Sequence, residues 1–259
     1  MRSSQPPRPR SSDSELSRVE AYSRLAGVYD EIVVDPCHGS WASYLHELWG
    51  ADPDRVGSVL DLCCGTGLLA AELGLLGYRV VGVDASEVML LVARRRLGAE
   101  ASLIRTSLPE LPVEGVFDAA VSSFDGLNYL PPESFRRTIS AVAGRLRRGG
   151  WLVFDLHTDA MMSFTVANPV VAGRSAGREF TIASAVDVRA RTCDTTIELA
   201  ETLTGEPFSE HHRQYFHSDT DVHDALAGTG FAVGAVTDEY TSRPADATTL
   251  RATWISRLV

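Results

Sequence analysis

The sequence of 259 residues is 44% hydrophobic and 22% charged, the balance of a globular chain, and leaves room for one large α/β domain or one domain plus an insertion. Its formal net charge of −10 repels a phosphate backbone, which argues against nucleic acid as substrate; a solvated helix face accounts for the local run Arg94-Arg95-Arg96. Every basic residue is arginine, so Walker-type phosphate binding and Schiff-base chemistry, which need lysine, are excluded.

From the N-terminus, Met1–Ser14 is rich in Ser, Pro and Arg without an apolar segment, and a disordered tail over residues 1–16 is expected rather than a secretory signal. No apolar run reaches membrane-spanning length. Four cysteines (Cys37, Cys63, Cys64, Cys193) lack C-x-x-C spacing, which speaks against a disulfide scaffold or zinc site and for a reducing cytoplasm. Residues 17–50 read as a helical cap in two pieces, broken near Val34-Asp35-Pro36. Tyr22 and Tyr29 stand seven apart, on one face if the helix is continuous, where they serve either as core or as site residues. Trp41–Trp49 is amphipathic and is expected to cover a sheet.

The main domain is expected over residues 51–259. Val59-Leu60-Asp61-Leu62-Cys63-Cys64-Gly65-Thr66-Gly67 runs into Leu68–Leu73, a strand-turn-helix unit whose glycines let the backbone approach a ligand. A second buried strand, Gly77–Asp84, ends on an acid 17 residues after Gly67, placed to accept both ribose hydroxyls. A nucleoside ligand follows from these residues. Gly65-x-Gly67-x-x-Ala70 also fits the dinucleotide pattern, which keeps a nicotinamide or flavin enzyme open. The carboxylate of Asp61, however, suits an ammonium-bearing ligand better than a pyrophosphate.

Further along, a helix opens at Ser86 and runs through Met89 to Leu97, Ala101–Arg105 is the third strand, and Thr106–Pro112 is a loop with two prolines. Phe117–Ser123 is the fourth strand and leads into Phe124-Asp125-Gly126-Leu127-Asn128-Tyr129-Leu130, next to the Gly-rich turn, where an open α/β sheet binds its ligand. A helix over Pro132–Leu146 stops at Arg147-Arg148-Gly149-Gly150, and Trp151–His157 is the fifth strand with His157 at its carboxyl end. The alternation of strand and helix predicts a parallel sheet covered on both faces. Three period-2 segments follow, Arg178–Asp187, Thr195–Leu203 and Glu210–His217, an antiparallel insertion over about 178–217 that roofs a cleft or makes a dimer surface. Residues His211 to Tyr215 alternate in direction, so only some face the cleft. His211, His212 and His217 raise a metal site, but no carboxylate or cysteine stands at ligand spacing with them, and no metal is expected. Helix Asp219–Gly228 and the strands Phe231–Glu239 and Thr248–Val259 close the chain.

The Asp61–Gly67 stretch resembles motif I of the class I S-adenosylmethionine (SAM) methyltransferases, (D/E)-x-G-x-G-x-G, with Cys63 in place of the first glycine. Cysteine is small enough for that turn if φ stays negative. The Phe124–Leu130 loop looks like the "FDxxNYL" segment of small-molecule methyltransferases, amino-sugar N-methyltransferases among them, and Gly149-Gly150 resembles the family's glycine turn. The resemblance covers roughly Tyr22 to Val259. It implies a Rossmann-like seven-stranded, mostly parallel sheet with helices on both faces, a helical cap and an antiparallel insertion after strand five, the last strand running antiparallel.

It implies S-adenosyl-L-methionine as cofactor, held by Asp61, Cys63, Gly65, Thr66 and Gly67, by Asp84, Ala85 and Met89, and by Ser123 and Phe124. Ser107 stands where the family often has an acid for the adenine amino group, and Leu108 would cover the ring. Tyr22, Tyr29 and Phe124 are candidates to stabilise the sulfonium; Asp125, Tyr29 and His157 are candidates to orient or deprotonate the acceptor. With no obligatory base in view, N-methylation of a small polar amine is favoured in specialised (antibiotic) metabolism. Small-molecule O-methylation, a nicotinamide oxidoreductase and a non-catalytic SAM-binding module are the alternatives. A homo-oligomer through the inserted strands is compatible with the pattern.

Overall fold

The computed structural model describes residues 22, 25–32, 37–52, 54–175, 177–200 and 208–259, so the predicted tail over 1–16, the break at Val34-Asp35-Pro36 and the end of the Thr195–Leu203 segment lie outside the described residues. The cap is not one continuous helix. Leu25–Gly27 is a 3-10 turn, Tyr29–Ile32 (α1) a single α turn and Cys37–Gly50 (α2) the first long helix. Tyr22 has φ of 65°, a left-handed backbone foreign to a helix, so helical spacing is not what brings it to Tyr29. The two rings meet all the same, edge to face with centroids 5.6 Å apart.

The chain then alternates as expected: Ser58–Leu62 (β1), Leu68–Leu75 (α3), Arg79–Asp84 (β2), Glu87–Leu97 (α4), Ser102–Arg105 (β3), Phe117–Ser122 (β4), Pro132–Ala143 (α5) and Leu146–His157 (β5). Ser86 caps α4 through its hydroxyl on the Met89 N–H, at 3.3 Å. The glycine stop after α5 is not a turn between elements. The β4–β5 register jumps from Phe117↔Leu146 to Ala119↔Trp151, so residues 147–150 are a bulge inside β5. A helix the sequence reading lacked, Asp159–Ala167 (α6), follows, capped by Thr158.

The insertion has four strands rather than three: Val170–Ser175 (β6), Arg178–Asp187 (β7), Thr192–Ala200 (β8) and Phe208–Tyr215 (β9), paired antiparallel in that order. Five of the six β6 residues are exposed, so no alternation of buried and exposed positions marked it as a strand. Asp219–Ala227 (α7), Phe231–Asp238 (β10) and Arg251–Leu258 (β11) complete the fold. Among the described residues, no helix is long and apolar enough to cross a membrane.

The main sheet has the order β10-β11-β5-β4-β1-β2-β3, parallel except for β11, which is antiparallel to both neighbours. All five residues of β1 are buried, as a central parallel strand requires. Val59, Val121 and Val153 pack one face against Trp41, Leu45 and Trp49 of α2 and Leu69 and Leu73 of α3. Leu60, Leu62, Leu152 and Phe154 pack the other face against Phe135 and Ile139 of α5 and Leu226 of α7. The chain runs outward from β1 to β3 and returns to β4, so the crevice between β1 and β4 opens at their carboxyl ends.

Asp118 fixes the opposite end. Its Oδ2 accepts the Gly57 N–H (3.0 Å), the Ser58 N–H (2.9 Å) and the Ser58 hydroxyl (2.8 Å), and its Oδ1 accepts from Arg147 Nε (2.9 Å). Burial works against the anion, but these donors outweigh it and hold the carboxyl below its ordinary 3.8. A folded pKa below the unfolded one stabilises above that value and is lost as pH falls through it. Asp118→Ala is expected to lower the unfolding free energy by about 2–3 kcal/mol near neutral pH. In denaturant titrations the gap between variant and parent should close as pH falls through the lowered folded pKa.

Candidate active site

The Gly-rich turn after β1 is left-handed at three places, with φ of 54° at Cys63, 53° at Gly65 and 76° at Gly67. The expectation of negative φ at Cys63 is therefore overturned. A non-glycine residue in this conformation carries a strain of about 1–2 kcal/mol. A Cβ on Gly126 would stand 2.7 Å from the Cys63 Cβ, so the missing side chain at 126 accommodates the extra one at 63. Burial pushes the Cys63 thiol well up, which keeps it protonated.

Gly65 faces a cavity of about 190 Å³, together with Cys63, Asp84, Ala85, Ser86 and Met89 on one side and Ser123 and Gly126 on the other. Asp84 accepts the Gly65 N–H on Oδ2 (2.9 Å) and the Ser86 N–H on Oδ1 (2.8 Å). Burial raises its pKa against the pull of these amides. Other residues of the predicted cofactor set stand outside the cavity lining. Thr66 turns away and donates to Asp30 Oδ1 (2.7 Å), while Arg96 reaches both Asp30 and the Thr66 carbonyl, tying the cap to the turn. At Gly67 a Cβ would lie 3.1 Å from Ala93 and Leu97, so this glycine serves helix packing. Leu108 packs against the core and Ser107 is exposed. Asp61 is buried beneath the turn, its Oδ2 without a hydrogen-bond donor, and burial with the Asp84 charge pushes it up to about 8.

Across the crevice, the loop after β4 is also left-handed, with φ of 60° at Phe124 and 53° at Asp125. Asp155, fully buried on β5, holds this backbone by accepting the N–H groups of Phe124 (2.8 Å) and Asp125. Burial pushes Asp155 up to about 6, with Arg251 pulling against it. Asn128 ties the loop at both ends, donating to the Tyr215 carbonyl (2.7 Å) and accepting the His157 N–H (3.1 Å).

The loop thereby turns Asp125 into a second cavity of about 300 Å³, where Leu25, Phe180, Ile182 and Ile197 give apolar walls and Asp125, Thr195, His212 and Gln214 polar ones. Gly173 opposite Phe180 has no side chain to obstruct the ring, since a Cβ there would meet it at 2.7 Å. Asp125 accepts from Gln214 Nε2 (2.6 Å) and has His157 Nε2 at 3.5 Å and Arg251 at 3.7 Å. His157 lines neither cavity; it stands behind Asp125, its pKa lowered by burial and partly restored by that carboxylate.

Tyr22, Tyr29, Phe124 and Tyr129 line both cavities and form the partition between them. The sequence reading brought Tyr22, Tyr29, Phe124 and Asp125 together but gave no role to Tyr129, Glu210, His212, Gln214 or Arg251. The parity of β9 carried the signal for three of them: Glu210 and His212 are buried and Gln214 is half-buried, while His211 and Arg213 face outward. A carboxylate does stand beside a histidine here, Glu210 Oε2 lying 3.6 Å from His212 Nε2, yet no group of three metal-ligating side chains is found among the described residues.

Residues 59–150 match the family model described as a methyltransferase domain. A putative methyltransferase of Bacillus subtilis (strain 168) is 32% identical over 150 residues, 56% of this chain and 58% of that protein. The chain spans a little over half the length of such curated relatives. A SAM-dependent methyltransferase from Clostridium acetobutylicum ATCC 824 superposes with a TM-score of 0.81 at 22% identity, over 92% of this chain and 98% of that one. The sugar N-methyltransferase KedS8 from Streptoalloteichus sp ATCC 53650 does so with 0.68 at 19% identity, over 88% and 90%. The fold is thus the Rossmann-like one of the class I methyltransferases. The fold expected from the resemblance of Asp61–Gly67 and Phe124–Leu130 is borne out, and residues 59–150 are similar to a methyltransferase domain.

The Cys63–Gly126 pairing is open to a direct check. Gly126→Ala should destabilise the fold by about 1–3 kcal/mol through overpacking. Adding Cys63→Gly should restore most of the loss in thermal melts, whereas independent sites would simply add.

Proposed function

We propose that the protein transfers a methyl group from SAM to the nitrogen of a small polar amine, an amino sugar or similar specialised metabolite. The observation that carries this reading is the partition itself. A cavity beside a strand-end acid is separated only by aromatic rings from a second cavity that holds a carboxylate. SAM when bound supplies an already activated sulfonium methyl.

Asp84, lining the first cavity, would accept the ribose hydroxyls. Asp61 has a buried oxygen without a donor, a fit for an ammonium group and a poor one for pyrophosphate. The Gly65 and Ser86 amides that a pyrophosphate would need are already taken by Asp84, which counts against the nicotinamide reading. The four partition rings offer their faces to a sulfonium. Asp125 would receive the acceptor's ammonium, and holding both reactants across one wall can supply about 7–11 kcal/mol of barrier reduction. A carboxylate in the acceptor cavity favours an amine over a neutral hydroxyl, and the second cavity itself speaks against a non-catalytic binding module. The cap over 17–50, the main domain over 51–259 with its insertion at about 178–217, a cytoplasmic location and self-association through β6, where Val170 and Val171 are exposed, belong to the same proposal.

Calorimetry tests the donor half. Asp84→Ala should weaken SAM binding at least about 30-fold, the loss of hydrogen bonds to a charged group. The Asp61 carboxyl sits at about 8 without a cation beside it. An ammonium favours its ionised form, so binding near pH 7 should release a proton, and affinity should weaken as pH falls from about 8 to 6. Asp61→Asn should remove both effects. The acceptor half is tested by radiolabelled methyl transfer to a panel of amino sugars and simple amines, with phenols and neutral sugars as controls. Mass spectrometry should place the methyl on nitrogen; a product methylated only on oxygen or carbon contradicts the assignment.

A further inference from the structure

The acceptor cavity contains a hydrogen-bonded chain that the sequence reading did not anticipate. The Tyr22 and Tyr129 hydroxyls are 2.7 Å apart, and the Tyr129 hydroxyl is 3.0 Å from His212 Nδ1. His212, 4% exposed, has no hydrogen-bond partner on Nε2, which lies 3.6 Å from Glu210 Oε2. Glu210 is fully buried and accepts the Tyr22 N–H on Oε2 (2.9 Å) and the Leu25 N–H on Oε1 (2.8 Å). Tyr22, Tyr129 and His212 all line the cavity. Glu210 and His212 are two apart on β9, so the pleat sends both side chains to the same face.

We infer that Tyr22, Tyr129, His212 and Glu210 form a proton relay that deprotonates the acceptor, built where the cap backbone meets β9. The inference rests on the proposed methyl transfer. The Glu210 carboxylate beside Nε2 selects the neutral tautomer with its hydrogen on that nitrogen, which leaves Nδ1 as the acceptor for Tyr129. An acceptor ammonium must lose one N–H bond before its nitrogen can attack. The proton passes to the Tyr22 oxygen as the Tyr22 proton moves to Tyr129 and the Tyr129 proton to Nδ1. The electron pair stays on the acceptor nitrogen, both tyrosines end neutral, and the imidazolium faces Glu210. Burial raises the pKa of both tyrosines, so they pass protons without dwelling as anions.

The other ionisable groups facing this cavity are Tyr29 of α1 and Asp125 of the β4 loop; β7 and β8 present only Phe180, Ile182, Thr195 and Ile197. Two of the clamps on Glu210 are cap amides, those of Tyr22 and Leu25, so the cap backbone helps to hold the carboxylate beside the histidine.

Nitrogen-15 NMR of histidine-labelled protein with S-adenosylhomocysteine tests the relay without an acceptor. His212, assigned by its absence in His212→Gln, should carry its neutral-form hydrogen on Nε2; a hydrogen on Nδ1 overturns the proposal. With the amine that the radiolabel panel returns, His212→Gln and Tyr129→Phe should each lower kcat about 100-fold near neutral pH. Most of that loss should vanish at high pH, where the amine deprotonates unaided, and KM for SAM should not move. A rate loss equal at every pH would mean a merely structural role and sink the relay. Failure to bind S-adenosylhomocysteine would instead sink the methyltransferase reading, so the two failures are distinguishable.

Discussion

One buried carboxylate sets the geometry of the loop that lines the second cavity. Asp155 lies at 0% exposure in the central sheet and holds two consecutive left-handed residues by their amides. Neither Phe124 nor Asp125 is a glycine, so each pays about 1–2 kcal/mol for that backbone, which charge-assisted hydrogen bonds of about 1.5–3 kcal/mol each can offset. Released, the loop would relax toward an extended backbone, removing Phe124 from the partition and Asp125 from Gln214. The carboxylate itself depends on Arg251, which enters from β11 opposite His157 and lies over the Phe124 ring at 4.7 Å and the Trp41 ring at 5.5 Å. The antiparallel last strand thus delivers the positive charge that a buried acid needs.

The donor side and the cap depend on each other in a similar way. Asp30 binds Thr66 and Arg96 at the Gly-rich turn, and Glu210 binds the cap backbone from the second sheet. The cap is therefore fastened to both halves of the site, and Tyr22 and Tyr29 reach the partition as a consequence. The two fastenings differ in kind. Glu210 is buried, whereas the Asp30–Arg96 pair retains 30% and 25% side-chain exposure, where salt screens it.

Much of the fold was legible because its signals are local. The apolar runs, the Gly-rich turn and Asp84 lie within one βαβ unit, and the switch between β1 and β4 follows from it. What failed depended on distant partners. The left-handed Cys63 fits its place because Gly126, far along the chain, has no side chain. Tyr22 meets Tyr29 through a left-handed residue, whereas the spacing of seven put them only on one face of a continuous helix. The parity of β9 was visible, but which parity faces inward is set by pairing with β8 and by the cap lying over it. His157 stands at the strand end where a site residue belongs, yet Asp125 intervenes between it and the cavity.

The central claim is that two cavities sharing one aromatic wall align a methyl donor with its acceptor. A crystal structure with S-adenosylhomocysteine tests it most directly. The account places the ribose hydroxyls on Asp84 and the sulfur against the wall of Tyr22, Tyr29, Phe124 and Tyr129, facing the cavity of Asp125 and His212. A ligand whose ribose avoids Asp84, or whose sulfur points away from that wall, would contradict it.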